Sequence, residues 1–157
     1  AMLEAGIHVI CDKPLSSDYQ QAQKLAEAVQ ASSAHFAVTY NYSAYPLIRE
    51  ARAMVAAGAL GALRLVQVEY PQDWLATDIE TEGQKQAEWR TDPARAGAGG
   101  CIGDIGTHAF HLAGFVSGQQ PESLLADLSS FVAGRALDDN VHILLRYADG
   151  ARGMLWA

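Results

Sequence analysis

Between residues 103 and 111 the chain reads GDIGTHAFH, bringing the carboxylate of Asp104 and the imidazoles of His108 and His111 into one short segment. On a helix with a step of about 100° per residue, Ile105, Ala109, Leu112 and Val116 form an apolar stripe. Asp104, His108, His111 and Phe115 form a second stripe roughly a quarter turn away, beside the buried face, where they can line a cleft. Asp104 and His108 stand at i and i+4, a spacing at which side chains meet. A carboxylate beside an imidazole favours the protonated ring and fixes its orientation, which suits a general acid/base working near neutral pH. The same residues admit a metal-dependent hydrolase or isomerase, with Asp104, His108 and His111 as ligands and Cys101 one turn earlier as a fourth. Against it, His111 must converge from the following turn. The ordinary alternative is a glycine-rich loop leading into a helix whose histidines cap or pack.

Lys13 is the second chemical candidate. A residue before proline is kept out of the helical region, so Lys13, preceding Pro14, is expected to stay extended just past a buried strand. Its ammonium would then face the crevice at the strand end, where partial desolvation lets a lysine give or take a proton. A solvated turn lysine is the alternative. Glycines add to the case: each one inside a helix costs about 1 kcal/mol relative to Ala, yet residues 97 to 106 read GAGGCIGDIG. That pattern is tolerable where another backbone or a ligand approaches closely.

These residues need elements to hold them. A strand over residues 7–11 precedes DKPLSSDYQQAQKLAEAVQAS, in which Ser17 and Gln20 fit a capping box and Ala22, Leu25, Ala26 and Val29 form a helical stripe. HFAVTYNY reads as a second strand, so the segment is a βαβ unit of a parallel sheet with Lys13 and Asn41 at strand ends. Pro46 opens a helix expected to turn Leu47, Ile48, Ala51, Met54 and Val55 inward and to stop at Gly58. LRLVQVEY is a strand, and residues 71–98 read as a long irregular stretch with Trp74 and Trp89. After the helix near Gly103 come strands at SLLADLSSFVAG, NVHILLRYA and RGMLWA, the last two joined through Ala148-Asp149-Gly150, giving an antiparallel half. The fold class is therefore α/β plus α+β: the end of a parallel sheet over residues 1–42, then a mostly antiparallel sheet packed with helices over 43–157.

At 157 residues, 50% hydrophobic and 18% charged, the chain is ordinary for a soluble globular protein. A formal net charge of -7 argues against nucleic acid or an anionic membrane as partner, since both reward clustered Lys and Arg. Cys11 and Cys101 form no CxxC pair, so reduced thiols in a cytoplasm are the default. Residues 1–5 resemble the last turn of a helix closed by Gly6, and ARGMLWA stops within a strand, the pattern expected of a piece of a longer protein. Val141, Ile143, Leu145 and Tyr147 alternate with His142, Leu144 and Arg146, leaving an extra apolar residue on the second sheet face, which points to a homo-oligomer through that sheet and admits a third reading, a non-catalytic oligomerisation module.

Together AGIHVICDKPLS, TYNYSAYP, GALGALRLVQVEY, EWRTDP and GAGGCIGDIGTHAFHL resemble, in order and spacing, the Gfo/Idh/MocA oxidoreductases. The resemblance implies a dehydrogenase using NAD or NADP on a secondary alcohol of a sugar or polyol. It implies Lys13 near nicotinamide and substrate, His108 as proton acceptor and Asp104 binding substrate or orienting the site. Asp12, Lys13, Pro14, Asn41, Trp89 and Arg90 are the implied cofactor neighbours, with no metal. Asp12 stands where the family usually has Glu, one methylene longer. The glycine fingerprint that cradles the pyrophosphate is expected before residue 1, so these 157 residues alone are expected to bind cofactor poorly.

Overall fold

In the computed structural model, which describes residues 1–157, the chain forms two units, Ala1–Tyr40 and Asn41–Ala157. The first is built on β1 (Val9–Cys11), α1 (Tyr19–Gln30) and β2 (Phe36–Val38). The two strands pair in parallel from Val9↔Phe36 to Cys11↔Val38, as a βαβ connection requires. Gly6, at φ 73°, closes the 3-10 turn Leu3–Ala5. The helix starts one residue later than the Ser17–Gln20 pattern places it. Asp18 is the cap, accepting from the Gln21 amide at 2.8 Å, and its charge also suits the positive end of the helix.

The second unit runs through α2 (Pro46–Ala56), β3 (Leu65–Glu69), α3 (Lys85–Arg90), α4 (Pro93–Ala96), α5 (Thr107–Ser117), β4 (Pro121–Ser129), β5 (Asn140–Tyr147) and β6 (Arg152–Trp156). The sheet has the order β3-β6-β5-β4, with β5 antiparallel to both neighbours. β3 departs from the antiparallel reading, pairing in parallel with β6 from Leu65↔Arg152 to Glu69↔Trp156. The stretch expected to be irregular contains α3 and α4, whose amides are capped by Gln84 and Asp92.

Alternation in β5 buries Val141, Ile143, Leu145 and Tyr147, which form the core with Leu155 and Ala109. Burying each large side chain contributes about 1.5–3 kcal/mol. Helix α2 packs on α5 with Ile48, Ala51 and Val55 half-buried. Leu47 and Met54, expected inward, are 82% and 46% exposed, because they lie on the neighbouring stripe of the same wheel.

Candidate functional site

The glycine-rich segment is shaped by a residue far along the chain. Asp138 accepts from the Gly100 amide at 2.6 Å, the Ile102 amide at 2.7 Å and the Cys101 thiol at 3.0 Å, while its carbonyl accepts from the Cys101 amide at 2.8 Å. A Cβ on Gly100 would stand 2.1 Å from the Asp138 carbonyl oxygen, and one on Gly106 would stand 2.6 Å from Ile102 Cδ1. The close approach that these glycines permit is therefore by the protein's own chain. Burial, then the Asp138 carboxylate, pushes the Cys101 thiol far above its ordinary pKa, so it stays protonated.

Past this clamp, Ile102–Gly106 winds as a π-helix before α5 begins. A π turn holds an extra residue, so an α-helical wheel drawn from Gly103 slips out of phase at Thr107. That is why His108 falls on the buried side with Ala109 and Ala113, and Leu112 and Val116 are only half-buried. Asp104 also takes a partner that the i, i+4 spacing did not indicate: Arg90 Nε donates to Asp104 Oδ2 at 2.9 Å. The guanidinium lies 4.2 Å from the Trp89 ring centre and 5.7 Å from that of Trp74, and it also donates to Gln86. A planar cation suits this stacked position better than an ammonium would.

His108 is 6% exposed. Its ring centre lies 4.7 Å from that of Tyr42 and 6.5 Å from that of Tyr70, and the two phenol oxygens are 2.7 Å apart. The hydrogen bond to Tyr42, followed by burial, pushes the Tyr70 phenol up to about 12, so it stays protonated near neutral pH. His111 turns elsewhere, stacking on Phe115 at 5.9 Å, with Arg52 over the other aromatic ring at 4.4 Å from its centre. Burial lowers its pKa, disfavouring the charged ring. Asp104 on Arg90, His111 on Phe115 and Cys101 on Asp138 do not converge, and no three His, Cys, Asp or Glu side chains are placed to hold a metal ion. The metal-ligand set is thereby set aside.

In the first unit Asp12 Oδ1 accepts from the Lys13 amide at 2.8 Å and from Thr39 Oγ1 at 2.7 Å, tying the end of β1 to the residue after β2. A short side chain suits that tie. The Lys13–Pro14 peptide is cis. Asn41 opens the 3-10 segment Asn41–Ala44 at the start of the second unit, two residues beyond the Thr39 that follows β2.

A family model described as the GFO/IDH/MocA C-terminal domain matches residues 48–157, and one described as the oxidoreductase family, NAD-binding Rossmann fold, matches residues 1–40. The chain belongs to the Gfo/Idh/MocA family. Among solved structures, an oxidoreductase from Sinorhizobium meliloti shares 50% identity at a TM-score of 0.81, covering 98% of this chain and 39% of its own. An inositol dehydrogenase homologue from Azotobacter vinelandii, complexed with NAD+, shares 38% identity at a TM-score of 0.92, covering 99% of this chain and 40% of its own. Levoglucosan dehydrogenase of Pseudarthrobacter phenanthrenivorans is 28% identical over 180 residues, which is 100% of this chain and 44% of that protein. The Gfo/Idh/MocA chain thus spans less than half the length of these relatives. Within its second unit Asp104 and Arg90 meet, and His108 acquires two neighbours, Tyr42 and Tyr70, that the sequence reading passed over. Their signal was present: Tyr42 closes HFAVTYNY and Tyr70 closes LRLVQVEY, so both lie just past strand ends.

Proposed function

We propose that the protein carrying this chain oxidises a secondary alcohol of a sugar or polyol with NAD or NADP. The observation that carries this reading is a family member's buried His108, walled by Tyr42 and Tyr70 and preceded by an Asp104 that Arg90 holds. Relatives named for inositol and levoglucosan support the substrate class, and the relative solved with NAD+ favours that form of the cofactor. The end of β1 fits a dinucleotide, because open parallel sheets bind ligands outside the carboxyl ends of their strands, where Asp12, Lys13 and Pro14 lie. Asn41, Trp89 and Arg90 are the further cofactor neighbours in this reading.

A bound nicotinamide ring supplies the hydride acceptor. His108 takes the hydroxyl proton as the carbon gives up its hydride, and the Lys13 ammonium stabilises the developing alkoxide. Asp104 orients the alcohol, and Arg90 acts through Asp104. Positioned proton transfer is worth about 100- to 10,000-fold in rate. In the full-length protein, assayed with NAD and NADP against a panel of polyols, Lys13→Ala and His108→Ala should each lower turnover by that order. Unchanged turnover in both variants rejects the assignments.

The outer face of the sheet supports a second copy of the chain as partner. Its residues fall into three rows across the strands: Leu65, Arg152, Arg146 and Ser123; Gln67, Met154, Leu144 and Leu125; Glu69, Trp156, His142 and Asp127. Basic, apolar and acidic rows succeed one another. A two-fold axis running along the rows sets the basic row of one copy over the acidic row of the other and joins the apolar rows.

A further inference from the structure

The second unit encloses a cavity of about 190 Å³ whose wall includes Asp104 and Tyr70. Most of the remaining lining is hydrocarbon and aromatic: Pro71, Trp74, Leu75, Phe131, Val132 and Trp156. Most of its polar wall groups are engaged, some with one another and some with groups outside the wall. Arg135 is bound to Glu80 and Asp139, Asp138 to the Gly100 and Ile102 amides, and Thr91 Oγ1 to the Ala87 carbonyl. Asn140 accepts from Trp156 Nε1 at 3.2 Å and donates to Ser129 Oγ at 3.1 Å, and Tyr70 is bonded to Tyr42. A hydroxyl entering this space would shed its water and find most of its potential partners already committed. Hydrocarbon would lose nothing by the move. The one pair of charged groups at the chemical end of the wall is Asp104 with Arg90, and Tyr70, which lines the cavity, has its ring centre 6.5 Å from that of His108.

We infer that this cavity receives a hydrocarbon portion of the substrate, a ring edge or alkyl arm, while the reacting hydroxyl remains at His108 and Asp104. The inference rests on the dehydrogenase reading and narrows it: the preferred substrate is a vicinal diol with one apolar side, and a ring hydroxylated on every carbon is disfavoured. Phe131, 79% exposed on the β4–β5 connection, and Trp74 supply aromatic surface for such an edge.

Two six-membered rings that differ in hydroxylation test this. In the full-length protein kcat/KM for trans-cyclohexane-1,2-diol should exceed that for myo-inositol by about tenfold to a hundredfold, the range over which an apolar pocket discriminates against an added hydroxyl. Val132→Thr, close in shape and adding a hydroxyl to the wall, should narrow the ratio. Equal values, or a preference for myo-inositol, overturn the inference while leaving the dehydrogenase intact. Should neither compound turn over, and His108→Ala prove silent with every polyol, it is the dehydrogenase reading that has failed. The cavity is then judged by tryptophan emission without nucleotide: a saturable change with the cyclohexanediol, weakened in Val132→Thr and absent with myo-inositol, supports the apolar site, and no change overturns it.

Discussion

Asp104 owes its setting to Arg90, and Arg90 owes its own to two indoles. The guanidinium Nε meets the carboxylate at 2.9 Å while its plane lies near Trp89 and Trp74, so one side chain links α3 to the π segment. Lysine would keep the charge but lose the planar stack and the directed Nε donor. Displacing a positioning group by about 1 Å can cost about a hundredfold in rate, so Arg90→Lys in the full-length protein should lower kcat by that order with a smaller change in KM. Steady-state kinetics decide it, and an unaltered kcat would detach Arg90 from the chemistry. Within the proposed site, Asp104 and His108 were legible as candidates because a carboxylate and an imidazole in an apolar helix stand out by type alone. Arg90 was legible as a candidate only through resemblance, and its pairing with Asp104 was not legible at all. Nothing local links α3 to residue 104. Tyr42 and Tyr70 were hidden for another reason: tyrosine at a strand end is ordinary, and its bearing on His108 follows only from tertiary packing.

Among the elements, those whose pattern is local were readable. The parallel pair β1–β2, the start of α2 at Pro46 and the alternation of β5 all follow from periodicity or a single conformational preference. The π segment was not readable, because Asp138 shapes it from 36 to 38 residues away. Nor was the path of residues 71–84, where Arg135 does comparable work. With a side chain only 1% exposed, Arg135 donates through Nε and Nη2 to Glu80, through Nη1 to Asp139, and to the Leu75 and Thr77 carbonyls. The Arg135 hydrogen bonds outweigh burial and hold Glu80 below the usual carboxylate range. Burial opposes ionisation of Asp139, but the Phe131 and Val132 amides, Ser130 and Arg135 together outweigh it and lower its pKa too. Carboxylates depressed in the folded state add stability that is complete above their unfolded values near about pH 4 and is lost as pH falls through the folded values. Removing one member of a buried pair costs about 3–5 kcal/mol, so Arg135→Ala should lower the urea midpoint strongly at neutral pH. Its deficit relative to the unmodified protein should shrink as the pH is taken below the ordinary carboxylate range. A deficit independent of pH would show that Arg135 contributes packing alone.

At the scale of the molecule, the proposed partnership turns on the order of the three rows on the open sheet face. Leu144 and Met154, 54% and 41% exposed, lie side by side in the middle row, flanked by Leu125 at 69%. Arg152 and Arg146 pair across β5 and β6 on one side, while Trp156 and His142 stack with ring centres 6.0 Å apart on the other, between Glu69 and Asp127. An axis parallel to the strands would place acidic row over acidic row and basic over basic. An axis along the rows sets Arg152 and Arg146 over Trp156 and His142, one strand from Glu69 and Asp127, so that opposite charges approach and the apolar residues superpose. Leu144→Lys places a cation in the centre of the joined apolar rows, where it meets its own symmetry mate, so the full-length dimer should dissociate, as light scattering after gel filtration would register. Arg146→Glu removes one half of the charge match and should weaken association at low salt more than at high salt, because exposed charges are screened within about 8 Å at physiological ionic strength. A full-length protein that elutes as a monomer at tens of micromolar, about the concentration of such an experiment, or one whose association ignores Leu144→Lys, would mean that this face meets something other than its own copy.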